Sequence, residues 1–461
     1  MTDQTGFKSN RKRLRWPFIL IVWLLQAVAP VFIDAQQAES KKFSLKEAQD
    51  YAVQHNYDAI KSQLDVEASK KRRKQTVADG FPQINSSVAY LNNLELRTVL
   101  IPNFFEGKFE EKIPVQFGTQ HNIDFGITVE QKIFDFSYLV GLHASKVYQQ
   151  FADQGFERTK LDVKESVTSA YFLILVTEET ERIIRANIAN LEKTLYETKE
   201  RYKEGFVEET DVDNLQVSLT QLENSLQNTL KQTDVAYKML NFQLGLPLDE
   251  DLTLDDKLAD ILRQIDIGET LAAEFNLSHN IDFQLLETQE KLAELSLKNE
   301  KAKYWPSMSA FYTYQQSAFR DSFNIFSTDK EWFRSQVLGV NVRIPIFKSG
   351  GQRARVQQAA IALEQARTSK EQASQGILLE DANARNNLSA AYENYLNVKS
   401  NMGLTQKVYQ ATLTKYEEGL ASSLELTQAN DRYLLVQSNY IRALSELLNA
   451  KNTLDRIRSK Y

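Results

Sequence analysis

The sequence contains one short turn twice, and this repetition constrains the fold more than any other feature. Residues 201–216 (RYKEGFVEETDVDNLQ) and 415–430 (KYEEGLASSLELTQAN) each have a tyrosine three positions before a glycine and an acidic residue six positions after it. These residues are Tyr202, Gly205 and Asp211 in the first copy, and Tyr416, Gly419 and Glu425 in the second. The copies are 214 positions apart in a chain of 461 residues. Because a repeated sequence indicates a repeated structure, we predict an internally duplicated fold.

Apolar residues follow each turn with the spacing of a long helix that packs against a partner. After Gly419 they recur every three or four residues as far as Leu454, and seven of the nine positions 214 residues earlier are also apolar. Such spacing is typical of the contact stripe of a coiled coil. Proline is absent from 115–246 and after Pro345, so no proline forces a helix to end there. We therefore predict two long helical hairpins with tips near Gly205 and Gly419.

Four other segments have the two-residue period of β-strands, namely 84–91, 123–130, 308–314 and 338–346. Apolar and polar side chains alternate along them, and aromatic residues lie near their ends. This pattern is typical of outer-membrane barrel strands, although the sheet of a soluble sandwich has the same period. Four strands cannot close a barrel, whereas the twelve strands of three copies can. The sequence therefore favours a trimer.

The segments between these elements have simpler predictions. A helix from about 44 to 77 precedes the first strand, and residues 92–122 and 315–336 are loops between strands. The region 245–285 contains a proline and an acidic cluster, and we interpret it as a connector between the halves.

The N-terminus has the composition of an export signal. Basic residues at positions 8–15 precede an uncharged apolar run from Trp16 to Ile33, and Ala35 is a small residue suited to cleavage. We predict a signal peptide over residues 1–35, with an uncleaved membrane anchor as the alternative.

The composition excludes several classes of function. The chain has no cysteine, and its four histidines are scattered, so a thiolate or histidine metal site is not expected. No sequence motif of a hydrolase, a metalloprotease or a nucleotide-binding loop occurs, and we predict neither an enzyme nor a cofactor. The formal net charge of −6 argues against nucleic-acid binding.

The order of helix, two strands and long helical hairpin, written twice, resembles the TolC family of outer-membrane efflux proteins. The strand-to-helix passages IFDFSYLVGLHASK and IFKSGGQRARVQQA, and the segments GFVEETDVDNLQ and LGLPLDEDLTL, also resemble that family. The resemblance covers about residues 44–458. It implies an α+β membrane protein that is a homotrimer, with a twelve-stranded barrel in the outer membrane and a long α-helical barrel in the periplasm. The implied divisions are a signal peptide (1–35), a first repeat (36–244), a connector (245–285) and a second repeat (286–461).

The resemblance also implies a function. Family members are passive exit channels that accept substrates from an inner-membrane transporter through a periplasmic adaptor, for efflux or type I secretion. The alternative is a periplasmic coiled-coil adaptor or structural protein without a pore.

At the tip, the resemblance assigns individual positions to a gate. Glu425 matches an acidic ring in the pore, and Gln428 stands where a second acid often follows. Tyr416 matches a tyrosine that, in the closed state, commonly hydrogen-bonds the acid of the first turn, here Asp211. Ala421 replaces an arginine that often restrains the closed state. The simpler interpretation is that the glycines cap helix C-termini and the acids stabilise helix N-termini.

Overall fold

The computed structural model describes residues 41–104, 106–324, 327 and 330–460. The predicted signal peptide, residues 1–35, lies outside them. From Lys42 onward the described residues belong to one compact unit.

The first half of the chain runs from short helices through strands into a long helical hairpin. Its elements are β1 (Lys41–Phe43), α1 (Leu45–His55), α2 (Tyr57–Ala78), β2 (Gln83–Asn92), β3 (Thr98–Asn103), β4 (Lys108–Gln116), β5 (His121–Phe134), α3 (Phe136–Lys203) and α4 (Glu209–Leu244).

The second half repeats that order after a stretch of short elements. Its elements are β6 (Leu252–Leu254), α5 (Leu258–Gln264), α6 (Ile267–Ala272), a 3-10 turn (Leu277–His279), α7 (Ile281–Ala302), β7 (Ser307–Arg320), β8 (Phe333–Arg343), α8 (Gly351–Glu417) and α9 (Ser423–Ile457). Helix α7 thus begins inside the range predicted for the connector.

The long helices confirm the prediction made from the missing prolines. Helix α3 has 68 residues and α8 has 67, which makes each about 100 Å long at 1.5 Å per residue. Helix α3 packs against α4, and α8 packs against α9, so each pair forms a hairpin. Contacts between α3 and α9 join the two hairpins.

The predicted helix over 44–77 is wrong in one respect, because Asn56 divides it into α1 and α2. The side-chain oxygen of Asn56 accepts a hydrogen bond of 2.8 Å from the backbone N–H of Asp58, and its amide donates one of 2.8 Å to the carbonyl of Gln243. Gly245 lies against the same break with a φ of 72°, and a Cβ atom there would be 2.2 Å from the carbonyl oxygen of His55. The break therefore accommodates the end of α4.

The four predicted strands are confirmed as one antiparallel sheet in the order β2-β5-β7-β8. Val129 lies opposite Ile84 on one side and Tyr312 on the other, and the same register brings Leu338 beside Tyr312. One face of the sheet is consequently apolar over much of its area.

The other face carries polar contacts. Asp124 accepts hydrogen bonds from Gln315 (2.9 Å) and Ser317 (2.5 Å), and the hydroxyls of Thr128 and Thr313 are 3.2 Å apart.

The predicted loop over 92–122 is also wrong in part, because it contains a hairpin of its own. Among the described residues, strands β3 and β4 pair only with each other, and Ile101 lies opposite Ile113.

The main core lies where the hairpins meet the connector. Its fully buried side chains come from all four long helices and include Tyr171, Leu240, Leu388 and Leu444. The side chains of Arg458 and Asp381, only 3% and 7% exposed, form an ion pair of 2.8 Å beside the connector. Arg458 also donates a hydrogen bond of 2.8 Å to the carbonyl of Thr270 in α6, so it joins the connector to α8.

Candidate functional site at the two helix turns

The two predicted turns have the same backbone geometry. Gly205 has a φ of 80° and Gly419 a φ of 75°, a left-handed conformation that glycine adopts without strain. In the first turn the N–H of Gly205 donates to the carbonyl of Tyr202 at 3.0 Å, and in the second that of Gly419 donates to Tyr416 at 3.0 Å. A further backbone bond closes each turn, as expected of a helix that ends at a glycine. The two similar sequences thus form two turns of the same geometry.

The acidic residues of both turns stabilise the helices that follow. Glu425 accepts hydrogen bonds from the backbone N–H (2.8 Å) and the hydroxyl (3.1 Å) of Ser422, which begins α9. Asp211 accepts one of 3.1 Å from the backbone N–H of Glu208 at the start of α4. Both arrangements are capping boxes, which satisfy N–H groups that a helix leaves unpaired. The bond from the Ser422 backbone, followed by that from its hydroxyl, lowers the pKa of the Glu425 carboxyl.

Tyr416 and Asp211, which the resemblance pairs in the closed state, have other partners in this structure. The hydroxyl of Tyr416 lies 2.9 Å from Oγ1 of Thr198, while Asp211 accepts a hydrogen bond from the hydroxyl of Ser423. Tyr416 is only 5% exposed because its ring packs in a cluster with Tyr409 and Leu426. Its hydroxyl therefore faces α3, and Ser423 is left to contact the first turn.

Arg201 makes the contact between the turns that the sequence did not predict. Its guanidinium donates hydrogen bonds to the last carbonyls of α8, at 2.8 Å to Tyr416 and also to Glu417. Its Cζ lies 5.6 Å from the centroid of the Tyr416 ring. A cation at a helix C-terminus is favourable because the free carbonyls there carry partial negative charge. A feature of the sequence could have indicated this contact. Both α3 and α8 have a basic residue in the last turn, and Lys415 of α8 stands at the position equivalent to Arg201.

Three contacts therefore join the hairpins at their tips, and we call them the tip links. They are Arg201 with the carbonyls of Tyr416 and Glu417, Thr198 with the Tyr416 hydroxyl, and Ser423 with Asp211.

The remaining predicted site residues do not take part in the tip links. Glu425 and Gln428 are exposed, and Ala421 packs against the cluster that contains Tyr416. Tyr202 is also exposed. A cleft of about 830 Å³ lies between the two turns, and Arg201, Asp211 and Tyr416 are among its lining residues.

The described residues contain no group of three or more histidine, cysteine or acidic side chains that could hold a metal ion. Nor does any helix in that part of the chain have the length and apolar composition to cross a membrane.

Comparisons with known proteins agree with this architecture. The family model for outer membrane efflux proteins matches residues 50–246 and 276–458. Outer membrane protein TolC of Vibrio cholerae is 23% identical over 345 residues, which cover 71% of this chain and 76% of that protein.

Two solved structures have the same fold. The outer membrane protein VceC of Vibrio cholerae has a TM-score of 0.69 at 14% identity, over 90% of this chain and 95% of VceC. The open state of the outer membrane channel MtrE of Neisseria gonorrhoeae has a TM-score of 0.70 at 15% identity, over 90% of this chain and 88% of MtrE. Since the family model matches most of the chain in two segments that contain the two turns, the chain belongs to the outer membrane efflux protein family.

Proposed function

We propose that this protein is the exit channel of a tripartite efflux or type I secretion system. It conducts substrates passively after an inner-membrane transporter and a periplasmic adaptor deliver them. The observation that carries the proposal is the continuity between sheet and helices. Each strand of the main sheet adjoins one of the helices α2, α3, α7 and α8, so a barrel made from the sheets opens into a barrel made from the helices.

The edges of the sheet support assembly with further copies. Strands β2 and β8 each have a neighbour on one side only within the described chain. Free strand edges expose unpaired N–H and C=O groups, which are costly inside a membrane. Pairing β8 of one copy with β2 of the next satisfies both edges, and three copies of four strands close a barrel of twelve.

Apolar stripes on the outer helices of the two hairpins support the same assembly. Val235, Met239 and Phe242 on α4 are exposed at helical spacing, and so are Leu404 and Val408 on α8. Exposed stripes of this kind mark protein interfaces. In a ring of three copies, α4 of one copy meets α8 of the next, and the stripes cover each other.

The paired turns are proposed as the gate of this channel. The tip links hold the two hairpins together within each copy, and breaking them frees one hairpin to move relative to the other. Three copies of Glu425 around the opening would form a ring of negative charge that favours cations. Asp211 and Tyr416 act through the tip links, and Gln428 leaves the second ring uncharged.

The apolar residues beside the cleft are proposed to receive the adaptor. Phe206 is 80% exposed and Leu420 is 74% exposed, and each follows the glycine of its turn. The equivalent positions in the two turns thus present similar anchors for the tips of a helical partner.

Current recordings in planar lipid bilayers test the proposal. The purified protein should form a trimer by native mass spectrometry and give channels whose conductance rises when the tip links are removed. A protein that is monomeric in detergent, stays soluble in the periplasm and conducts no ions with or without the tip links would contradict it.

A further inference from the structure

We infer that basic residues at the junction of sheet and helices bind the phosphate headgroups of anionic phospholipids. The inference rests on the proposed function, since it requires the sheet to lie in the membrane. The residues, which we call the basic collar, are Lys71, Lys74, Lys301, Lys348 and Arg353.

All members of the basic collar lie close to the sheet. Lys71 and Lys74 precede the end of α2 at Ala78 by seven and four residues, and Arg353 lies in the first turn of α8. At a rise of 1.5 Å per residue, each is within about 10 Å of the end of its helix. Lys301 lies in the last turn of α7, and Lys348 lies between β8 and α8. A headgroup layer is about 5–8 Å thick, so four members of the basic collar lie within its depth and Lys71, at about 10 Å, lies just beyond it.

An aromatic cluster lies between the basic collar and the sheet. The rings of Phe134 and Phe136 are 5.5 Å apart, and that of Phe136 stacks on Trp305 at 5.2 Å. Phe134 lies opposite Met308, on the apolar face of the sheet. Phe134 is 39% exposed in the chain and Trp305 is 59% exposed. Exposed aromatic residues beside an apolar sheet face are typical of a membrane interface.

The cations of the basic collar are available for a ligand. All five side chains are exposed, and none of their charged groups forms an ion pair or hydrogen bond in the part of the chain that the structure describes. Most nearby acids have partners already, and Asp79, exposed just after α2, is one acid against five cations. Glu67 pairs with Lys70 at 2.7 Å, Glu300 pairs with Lys303 at 2.5 Å, and Asp135 begins α3 by accepting from the N–H of Ser137.

The net charge of the whole chain is negative, so the cluster of cations at the junction is a local feature. The formal net charge is −6, so a general excess of cations does not explain the basic collar. Lysine and arginine near an anionic membrane surface each contribute about 1 kcal/mol to binding, a roughly fivefold effect per residue. Basic groups directly beside exposed aromatic rings match a lipid, whose phosphate and acyl chains offer both kinds of contact.

Lipid binding to the full-length protein in detergent tests the inference. Native mass spectrometry would follow titrations with phosphatidylglycerol and with phosphatidylcholine. The variant K71Q/K74Q/K301Q/K348Q/R353Q should bind phosphatidylglycerol at least about tenfold more weakly, with phosphatidylcholine unchanged. The control variant K46Q/K231Q/K257Q/K407Q/R442Q removes the same charge from exposed positions away from the junction and should bind like the unmodified protein.

A second measurement does not depend on the folding of any variant. Brominated phosphatidylglycerol should quench the tryptophan fluorescence of the unmodified protein, to which Trp305 contributes, more than brominated phosphatidylcholine does. Equal quenching would overturn the inference. So would an equal loss of phosphatidylglycerol binding in both variants, or competition by soluble glycerol phosphate, which would indicate a site for free phosphate.

The two proposals fail in different ways. If the protein conducts ions but has no preference for phosphatidylglycerol, the lipid site is refuted and the proposed channel function stands. If the protein binds phosphatidylglycerol through the basic collar but conducts no ions, the lipid site stands and the proposed channel function is refuted.

Discussion

The guanidinium of Arg201 donates a hydrogen bond of 2.8 Å to the backbone carbonyl of Tyr416, and this bond joins the end of α3 to the end of α8. The two residues belong to different hairpins and are 215 positions apart in the chain. Because the acceptor is a backbone atom, this hydrogen bond depends on the arginine and on the position of the turn, while the Tyr416 ring adds a separate cation–π contact.

Arg201→Ala should therefore open the tip. Hydrogen bonds from a charged donor contribute about 1.5–3 kcal/mol each, so the ratio of open to closed channels should rise about tenfold or more. Single-channel recording measures this ratio. Arg185→Ala is the control, because Arg185 lies on the same helix and pairs only with Glu181, at 2.7 Å. Equal opening by both variants, or by neither, would contradict the role of Arg201.

The hydroxyl partners at the tip can be separated by double-mutant cycles on the same ratio. Thr198→Val and Tyr416→Phe should be coupled by about 1 kcal/mol, since each removes one side of the same hydrogen bond. Ser423→Ala and Asp211→Ala should be coupled for the same reason. Tyr416→Phe and Asp211→Ala should be additive. Strong coupling between the substitutions at Tyr416 and Asp211 would instead indicate the hydrogen bond between these residues that the family resemblance implied.

The correct predictions rest on the spacing of residues within single segments of the sequence. The long helices follow from apolar spacing and missing prolines, and the four strands of the main sheet follow from alternation. Both signals are contained within single segments, and so is the glycine that ends each long helix. The capping roles of Asp211 and Glu425 are local as well, since each acid contacts a residue three positions earlier.

The errors have physical reasons in particular residues. The β3–β4 hairpin contains Pro102 and Pro114, and proline argues against a strand. Both are tolerated because the sheet has only two strands. The break at Asn56 depends on Gly245, which is distant in sequence. The partner of Tyr416 depends on how α3 lies beside α8, and no local pattern encodes that arrangement.

Glu425 should influence both cation selectivity and the stability of α9, and two variants separate these effects. Glu425→Gln removes the charge but can still complete the capping box, whereas Glu425→Ala removes both. Reversal potentials in a salt gradient should show reduced cation selectivity in both variants. Thermal unfolding should show a lower melting temperature only for Glu425→Ala. Unchanged reversal potentials in Glu425→Gln would reject the acidic ring and leave the capping role intact.

The lowered pKa of Glu425 gives this capping contribution a definite pH dependence. A carboxyl whose pKa is lower in the folded protein than in the unfolded chain stabilises the fold above its unfolded value of about 4.3. That contribution is lost as the pH falls through the lowered folded value. The stability difference between the unmodified protein and Glu425→Ala should therefore be constant near neutral pH and shrink below about pH 4. Chemical denaturation at several pH values measures it, and a difference that grows on acidification would contradict the assignment.

The buried pair Arg458–Asp381 should be the most sensitive ion pair to single substitution. Its side chains are 3% and 7% exposed, and removing one partner leaves a buried charge without compensation. Arg458→Met should therefore lower the free energy of unfolding by about 3–5 kcal/mol, while a second substitution, Asp381→Leu, should restore much of the loss because it removes the stranded charge. Arg263→Met provides the control, since Arg263 and Asp260 form an exposed pair at 3.2 Å that should contribute no more than about 1 kcal/mol. Denaturation of the purified protein followed by circular dichroism measures all three variants. If Arg458→Met lowers the free energy of unfolding no more than Arg263→Met does, then the contacts of Arg458 do not stabilise the packing of the connector against α8.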